Sequence, residues 1–300
     1  MSDVYFARAN AVYRDQTAPS LEREYNLIAL RPDFQTAIAS AWKTRSAAFR
    51  AAANAKLDLS FGADPRDLLD LFPAGNGSGP LVVFLHGGYW QRGSKDMYSF
   101  VAAPFAANGI STAVLDYNLC PSVRISEIAP QVARSLVWLW RNAAALGFSR
   151  DKIIVTGASA GGHLTAAMLT TDWVRVGAPD DLIKAAIPIS GIFDLEPLRF
   201  TSINDAVRMD ADEARAESPL FKEQPRKTRQ LVVVGALETT EFHRQSDEYS
   251  SRRRAAGIEV ERYSEPDVDH FDVVNRFADE RSQFFAKAQR LIAEATGSSS

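Results

Sequence analysis

Three hundred residues with 46% apolar side chains can bury a large core, and a net charge of −3 with a pI near 5.9 gives no general attraction to nucleic acid or anionic membrane. One cysteine, Cys120, excludes an internal disulfide framework and a cysteine-rich metal site. The opening "MSDVYFARAN" carries Asp3 and no apolar core of signal-peptide length, and no window reaches the roughly 18 apolar residues of a membrane span, so a cytoplasmic setting with no membrane partner is expected.

Residues 1–53 predict an N-terminal helical extension, from the apolar-periodic stretches "VYFARANAVYRDQ" and "PDFQTAIASAWKTRSAAFRAA" joined by "EREYNLIALRPD". "KLDLSFG" and "RDLLDLFPAG" alternate and end in turn residues, which suggests an antiparallel pair. After Gly79-Pro80 comes "LVVFLHGG", a continuous apolar run expected of a strand buried on both faces. A helix from Lys95 to Ala107 follows, then the strand "ISTAVLDYNL" and a long helix from about Ser126 to Leu146. Next come the strand "KIIVTG", a helix from about Gly161, and the strand "IKAAIPIS". Residues 191–228 are polar and irregular, too long for an ordinary connection, and read as a lid-like insertion. "QLVVVGA" and "IEVERYS" are the last strands, each followed by a helix, and the tail 295–300 is expected to be disordered. Alternating strands and helices predict one α/β domain over 1–300, with a mostly parallel central sheet and helices on both faces.

The join between the strand ending at Thr156 and the helix beginning at His163 contains only Gly, Ala and Ser. Gly157-Ala158-Ser159-Ala160-Gly161 fits G-x-S-x-G, the nucleophile elbow, in which a tight turn lifts a serine hydroxyl above the sheet. A glycine-initiated helix capped by serine would explain Ser159 but not the loss of every other side chain. "LHGGYW" ends the first buried strand, and its glycines let the N–H groups of Gly87 and Gly88 turn toward a developing oxyanion, with Ala160 N–H as the third donor. Four histidines could supply the base. His86 belongs to the oxyanion strand, His163 opens the elbow helix and His243 lies within a helical pattern, whereas His270 sits in a loop between the last strand and last helix. That is where the order Ser, acid, His places it. For the acid, Glu238 is the first carboxylate after "QLVVVGA", with Glu241 and the less favourable Asp269 as alternatives. The carboxylates of 64–70 and 205–217 lack histidines at metal-ligand spacing, and no metal or cofactor is expected.

"HGGYW", "GASAGG", "GIFDLEPL", "ESPL" and "ETTEFHRQS" together resemble the kynurenine formamidase (arylformamidase) branch of the α/β-hydrolases, near the hormone-sensitive-lipase-like esterases. The resemblance spans about Tyr25 to His270. It implies an α/β-hydrolase fold and metal-independent hydrolysis of N-formyl-kynurenine to kynurenine and formate. Carried over, it places the nucleophile on Ser159, the base on His270, the acid on Glu238 and the oxyanion hole on Gly87, Gly88 and Ala160. Family members often have aspartate at the acid position, so Glu238 is a departure. Tyr89 replaces the third glycine of many esterases. A formamidase needs a tight acyl side and a broad aromatic side, for which Tyr89, Trp90 and Phe193 are the candidates. A carboxylesterase acting on short-chain or aryl esters is the alternative, since it would use the same triad. The N-terminal helices are candidates either to cap the site or to build a homodimer interface.

Overall fold

The computed structural model describes residues 10–75 and 77–297. Eight strands form one sheet: β1 (Lys56–Ser60), β2 (Leu68–Phe72), β3 (Leu81–Leu85), β4 (Ser111–Leu115), β5 (Ile153–Ala158), β6 (Ile183–Ile189), β7 (Arg229–Gly235) and β8 (Val260–Glu265). Their order is β1-β2-β4-β3-β5-β6-β7-β8. β1 and β2 are antiparallel, as "KLDLSFG" and "RDLLDLFPAG" predict, and β2 is also antiparallel to β4. The remaining pairs are parallel. Every residue of β3, β4 and β5 is buried, the signature of strands covered on both faces.

The chain runs outward from β3 to β4 on one side and to β5 on the other, so the order reverses at the β3/β5 pair. Sites in open α/β sheets form at the carboxyl ends of the strands flanking such a reversal. Here those ends are Leu85, which runs into His86-Gly87-Gly88, and Ala158, which runs into Ser159.

The helix after β5, Ala160–Leu169, is buried at all ten positions, which explains its small and apolar residues on every side. The long helix Ile125–Leu146 ends at Gly147, whose φ of 90° gives the left-handed cap. The helix expected from Lys95 to Ala107 is broken into Lys95–Tyr98, a tighter turn at Ser99–Val101, and Ala102–Ala107. Ser46 Oγ accepts the Phe100 N–H and so takes a backbone donor out of that segment.

The N-terminal segment contains helices Ala18–Tyr25, Leu27–Leu30 and Ala39–Ala52, with one wide turn at Phe34–Ile38. The first stretch expected to be helical departs from expectation over its described part. Tyr13 and Gln16 close a small bridge, Tyr13 reaches Asp194, and Arg14 pairs with Glu248 at 2.6 Å. Long-range polar partners override the local period there, while residues 1–9 lie outside the described residues. At the other end the helix Gln283–Thr296 includes positions expected in the tail and is capped by Gly297 at φ 61°, with 298–300 outside the described residues.

The segment 191–228, expected to be lid-like, buries Ile192, Leu195, Leu198, Val207 and Ala214 in the main core. It is tied to the elbow helix by His163 Nε2, 2.8 Å from the Glu217 carbonyl, and to the N-terminal segment by Glu22 and Ser202. Among the described residues no helix is long and apolar enough to cross a membrane.

Candidate active site

Ser159 adopts φ 59° and ψ −116°, a conformation that costs a non-glycine residue on the order of 1–3 kcal/mol and is held by its surroundings. The surroundings are backbone. A Cβ on Gly161 would lie 1.9 Å from the Leu85 carbonyl oxygen, and one on Gly157 2.5 Å from the Gly161 carbonyl oxygen. The two glycines therefore let β3, β5 and the elbow helix meet. The N–H groups of Ala160 and the next residues have no acceptor within their own helix, so a ready anion site opens beside Ser159. Gly87 faces it from β3, since a Cβ there would be 3.2 Å from Ser159 Cβ. Gly88 has φ 120°, and a Cβ on it would strike the Arg92 carbonyl at 2.2 Å. Of the three expected oxyanion donors, Gly87 and Gly88 line the same cavity as Ser159, and Ala160 follows the serine in the chain.

His270 and Ser159 are each only 7% exposed and line the same cavity of about 310 Å³. His270 Nδ1 lies 2.6 Å from Glu238 Oε2. Glu238 Oε1 accepts the Gly235 N–H at 2.6 Å and the Ser190 hydroxyl. The carboxylate is enclosed by hydrogen-bonding partners, which fixes its direction. Ser190, at the end of β6 with φ 47°, was not singled out by the sequence. Its signal is a lone serine before Gly191 on a strand end beside β7.

The alternative acids have other partners. Glu241 accepts from Tyr25 Oη, Gln16 Nε2 and the Nε and Nη2 of Arg244, and fastens the N-terminal segment. Asp269 accepts the N–H groups of Phe271 and Asp272 and pairs with Arg31. The other histidines lie elsewhere too. His86 Nδ1 is 2.8 Å from the Gly87 carbonyl and the ring stacks on Tyr117, while burial pushes its pKa down to about 3. Burial also pushes His163 down to about 4. His243 meets Arg262 at 3.3 Å.

Of the three aromatic candidates only Tyr89 lines the cavity, with its hydroxyl donating to the Tyr25 carbonyl at 2.6 Å. Trp90 is fully buried, edge-on to His163 at 4.9 Å. Tyr89 and Trp90 have φ 49° and 56°, and this double left-handed turn sends Trp90 into the core while Tyr89 stays at the wall. Phe193 stacks on Tyr249 at 4.0 Å in a separate core cluster and is not at the site. The aromatic wall comes instead from Phe34, Trp42, Tyr98 and Phe271, two of them on the N-terminal segment. Among the described residues no group of three or more His, Cys, Asp or Glu could hold a metal ion.

Comparison with known proteins agrees with this architecture. The BD-FAE family model matches residues 69–232. Kynurenine formamidase of Salmo salar is 30% identical over 238 residues, 77% of this chain and 79% of that protein. The protein of the same name from Danio rerio is 29% identical over 280 residues, covering 89% and 94% of the two chains. A crystal structure from Silicibacter sp. tm1040, provisionally described as a thioesterase, superposes with a TM-score of 0.77 at 32% identity, covering 89% of this chain and 97% of that one. The chain belongs to the kynurenine formamidase family of α/β-hydrolases.

Proposed function

We propose that this hydrolase is an arylformamidase that cleaves N-formyl-kynurenine or a close aryl formamide through Ser159, His270 and Glu238. Ser159 Oγ attacks the formyl carbon as His270 Nε2 takes its proton. The imidazolium is stabilised by Glu238, and the oxyanion is received by the N–H groups of Gly87, Gly88 and Ala160. His270 then protonates the departing aryl amine, and water, activated by the same histidine, hydrolyses the formyl-enzyme. An aryl amine leaves more readily than an alkyl amine because the ring delocalises its lone pair.

One arrangement carries the reading: an elbow serine and a histidine held by a carboxylate at 2.6 Å open into one aromatic-walled cavity. The experiment compares kcat/KM for N-formyl-L-kynurenine with that for p-nitrophenyl acetate and butyrate, with Ser159→Ala as control. Formyl-kynurenine exceeding the esters despite its poorer leaving group supports the formamidase. Esters turning over without formyl-kynurenine would leave an esterase, the reading favoured by the likeness to the structure described as a thioesterase.

A further inference from the structure

Among the described residues, the cavity over Ser159 is lined by two cationic side chains, Lys43 and Arg92, and by no carboxylate, in a chain whose net charge is −3. The two cations come from different elements. Lys43 lies on the helix Ala39–Ala52, next to the buried Trp42, and Arg92 lies in the turn whose N–H donates to the Gly88 carbonyl at 3.1 Å. Among the described residues neither side chain is in an ion pair, whereas nearby Arg31 is shared by Asp33, Asp269 and Asp272. Two unpaired cations at the mouth of a partly enclosed site concentrate an anionic ligand there.

We infer that Lys43 and Arg92 bind a carboxylate on the leaving-group side of the substrate, and that an ammonium on the same tail is not read. The aryl ring lies against Phe34 and Trp42, and the tail passes outward between the two cations. A zwitterionic amino-acid tail is then held by its anionic end alone, because the lining offers no carboxylate to its ammonium. The inference rests on the proposed function for the scissile bond but not for the charge selection.

The test uses three formamides: N-formyl-kynurenine, its carboxamide and its desamino analogue. Exposed ion pairs are individually weak, so kcat/KM is expected to fall about ten-fold from carboxylate to carboxamide, and to change less than about two-fold when only the ammonium is removed. Lys43→Met and Arg92→Met, which keep apolar stems, should each reduce the carboxylate-to-carboxamide ratio, and the double variant should bring it near one. In the unmodified enzyme the ratio should fall as ionic strength rises from about 0.02 to about 0.5 M. A ratio unchanged in the double variant, or insensitive to salt, overturns the inference, as does a large loss on removing the ammonium. Calorimetric binding of kynurenine and kynurenine carboxamide to Ser159→Ala separates the two readings. If no formamide is hydrolysed but the carboxylate still binds about ten-fold tighter, only the proposed reaction fails.

Discussion

Replacing Glu238 by glutamine tests the proposed acid with the fewest changes in shape. Oε1 accepts the Gly235 N–H at 2.6 Å and the Ser190 hydroxyl, and Oε2 faces His270 Nδ1 at 2.6 Å. A hydroxyl can rotate and become an acceptor, but a backbone N–H can only donate. The glutamine carbonyl must therefore take the Oε1 place, which puts the amide NH2 against Nδ1. His270 then has to leave Nδ1 bare and carry its proton on Nε2, facing Ser159, where it can no longer accept the serine proton. The opposite flip would set two donors against each other at Gly235 and leave a buried N–H unpaired, at about 1–3 kcal/mol. A wrong-tautomer substitution of this kind costs about 10⁴ in kcat, or about 5.5 kcal/mol of transition-state stabilisation.

The assay is initial-rate hydrolysis of p-nitrophenyl acetate, with thermal unfolding to show that E238Q is folded. Adding Ser190→Ala to E238Q should not restore activity, because Gly235 still dictates the amide orientation. Glu238→Asp would withdraw the carboxylate by about one C–C bond, ~1.5 Å, and is expected to lose activity too, although aspartate often serves in relatives. The assignment is refuted if E238Q keeps kcat within about ten-fold while Glu241→Gln or Asp269→Asn, equally well folded, loses about 10³.

Gly161→Ala should destabilise by more than about 3 kcal/mol in urea unfolding, above the usual range for overpacking, because the clash at 1.9 Å is with the backbone of β3. Gly109→Ala, at φ 71° with nothing within 4 Å, should cost only about 1–2 kcal/mol of backbone strain, and equal losses at the two sites would contradict the argument. Acid should weaken the fold through His86 and His163, whose pKa values are lowered by burial to about 3 and about 4. Below pH ~6.5 the unfolded chain takes up protons that these rings refuse, so each adds a slope approaching about 1.4 kcal/mol per pH unit down to its folded pKa. His86→Gln or His163→Gln should flatten the fall in unfolding free energy between pH 6.5 and pH 4.5, and an unaltered slope would refute it. Arg31→Ala frees the N-terminal segment from the loop of His270 and should raise KM more than it lowers kcat, with faster hydrogen exchange over 27–52. Unchanged exchange there would show that Arg31 is not the fastening.

The sheet was legible because buried parallel strands have few disguises. "LVVFLHGG", "KIIVTG" and "IKAAIPIS" could hardly be solvated, and each is a fully or almost fully buried strand. The strand order and the reversal between β3 and β5 leave no local trace, since they depend on which apolar faces meet. Local grammar failed where distant polar partners take over, as at Tyr13 and Arg14, or where a neighbouring helix supplies an acceptor, as Ser46 does for Phe100.

At the site the same division holds. Ser159, Gly87, Gly88, Ala160, His270 and Glu238 could be proposed as a site because backbone sterics and chain order restrict them, and Gly157 and Gly161 have no room for a side chain. The substrate wall could not be read that way. Trp90 and Phe193 are aromatic and close in sequence to the motifs, yet both are core, because proximity along the chain does not say to which side of a turn a ring falls. Part of the wall comes from Phe34, Trp42 and Lys43, far from every motif, on a segment held over the site by Arg31–Asp269 and by Trp42 Nε1 on Asn275, and the rest from Tyr98 and from Tyr89 and Phe271 beside the motifs. The atoms proposed to break the bond and part of the surface proposed to choose the molecule thus come from different parts of the chain. The first are set by a strained elbow that tolerates almost no substitution. The second includes exposed positions such as Lys43, where a change of side chain costs little stability, so selectivity can shift there without disturbing the elbow.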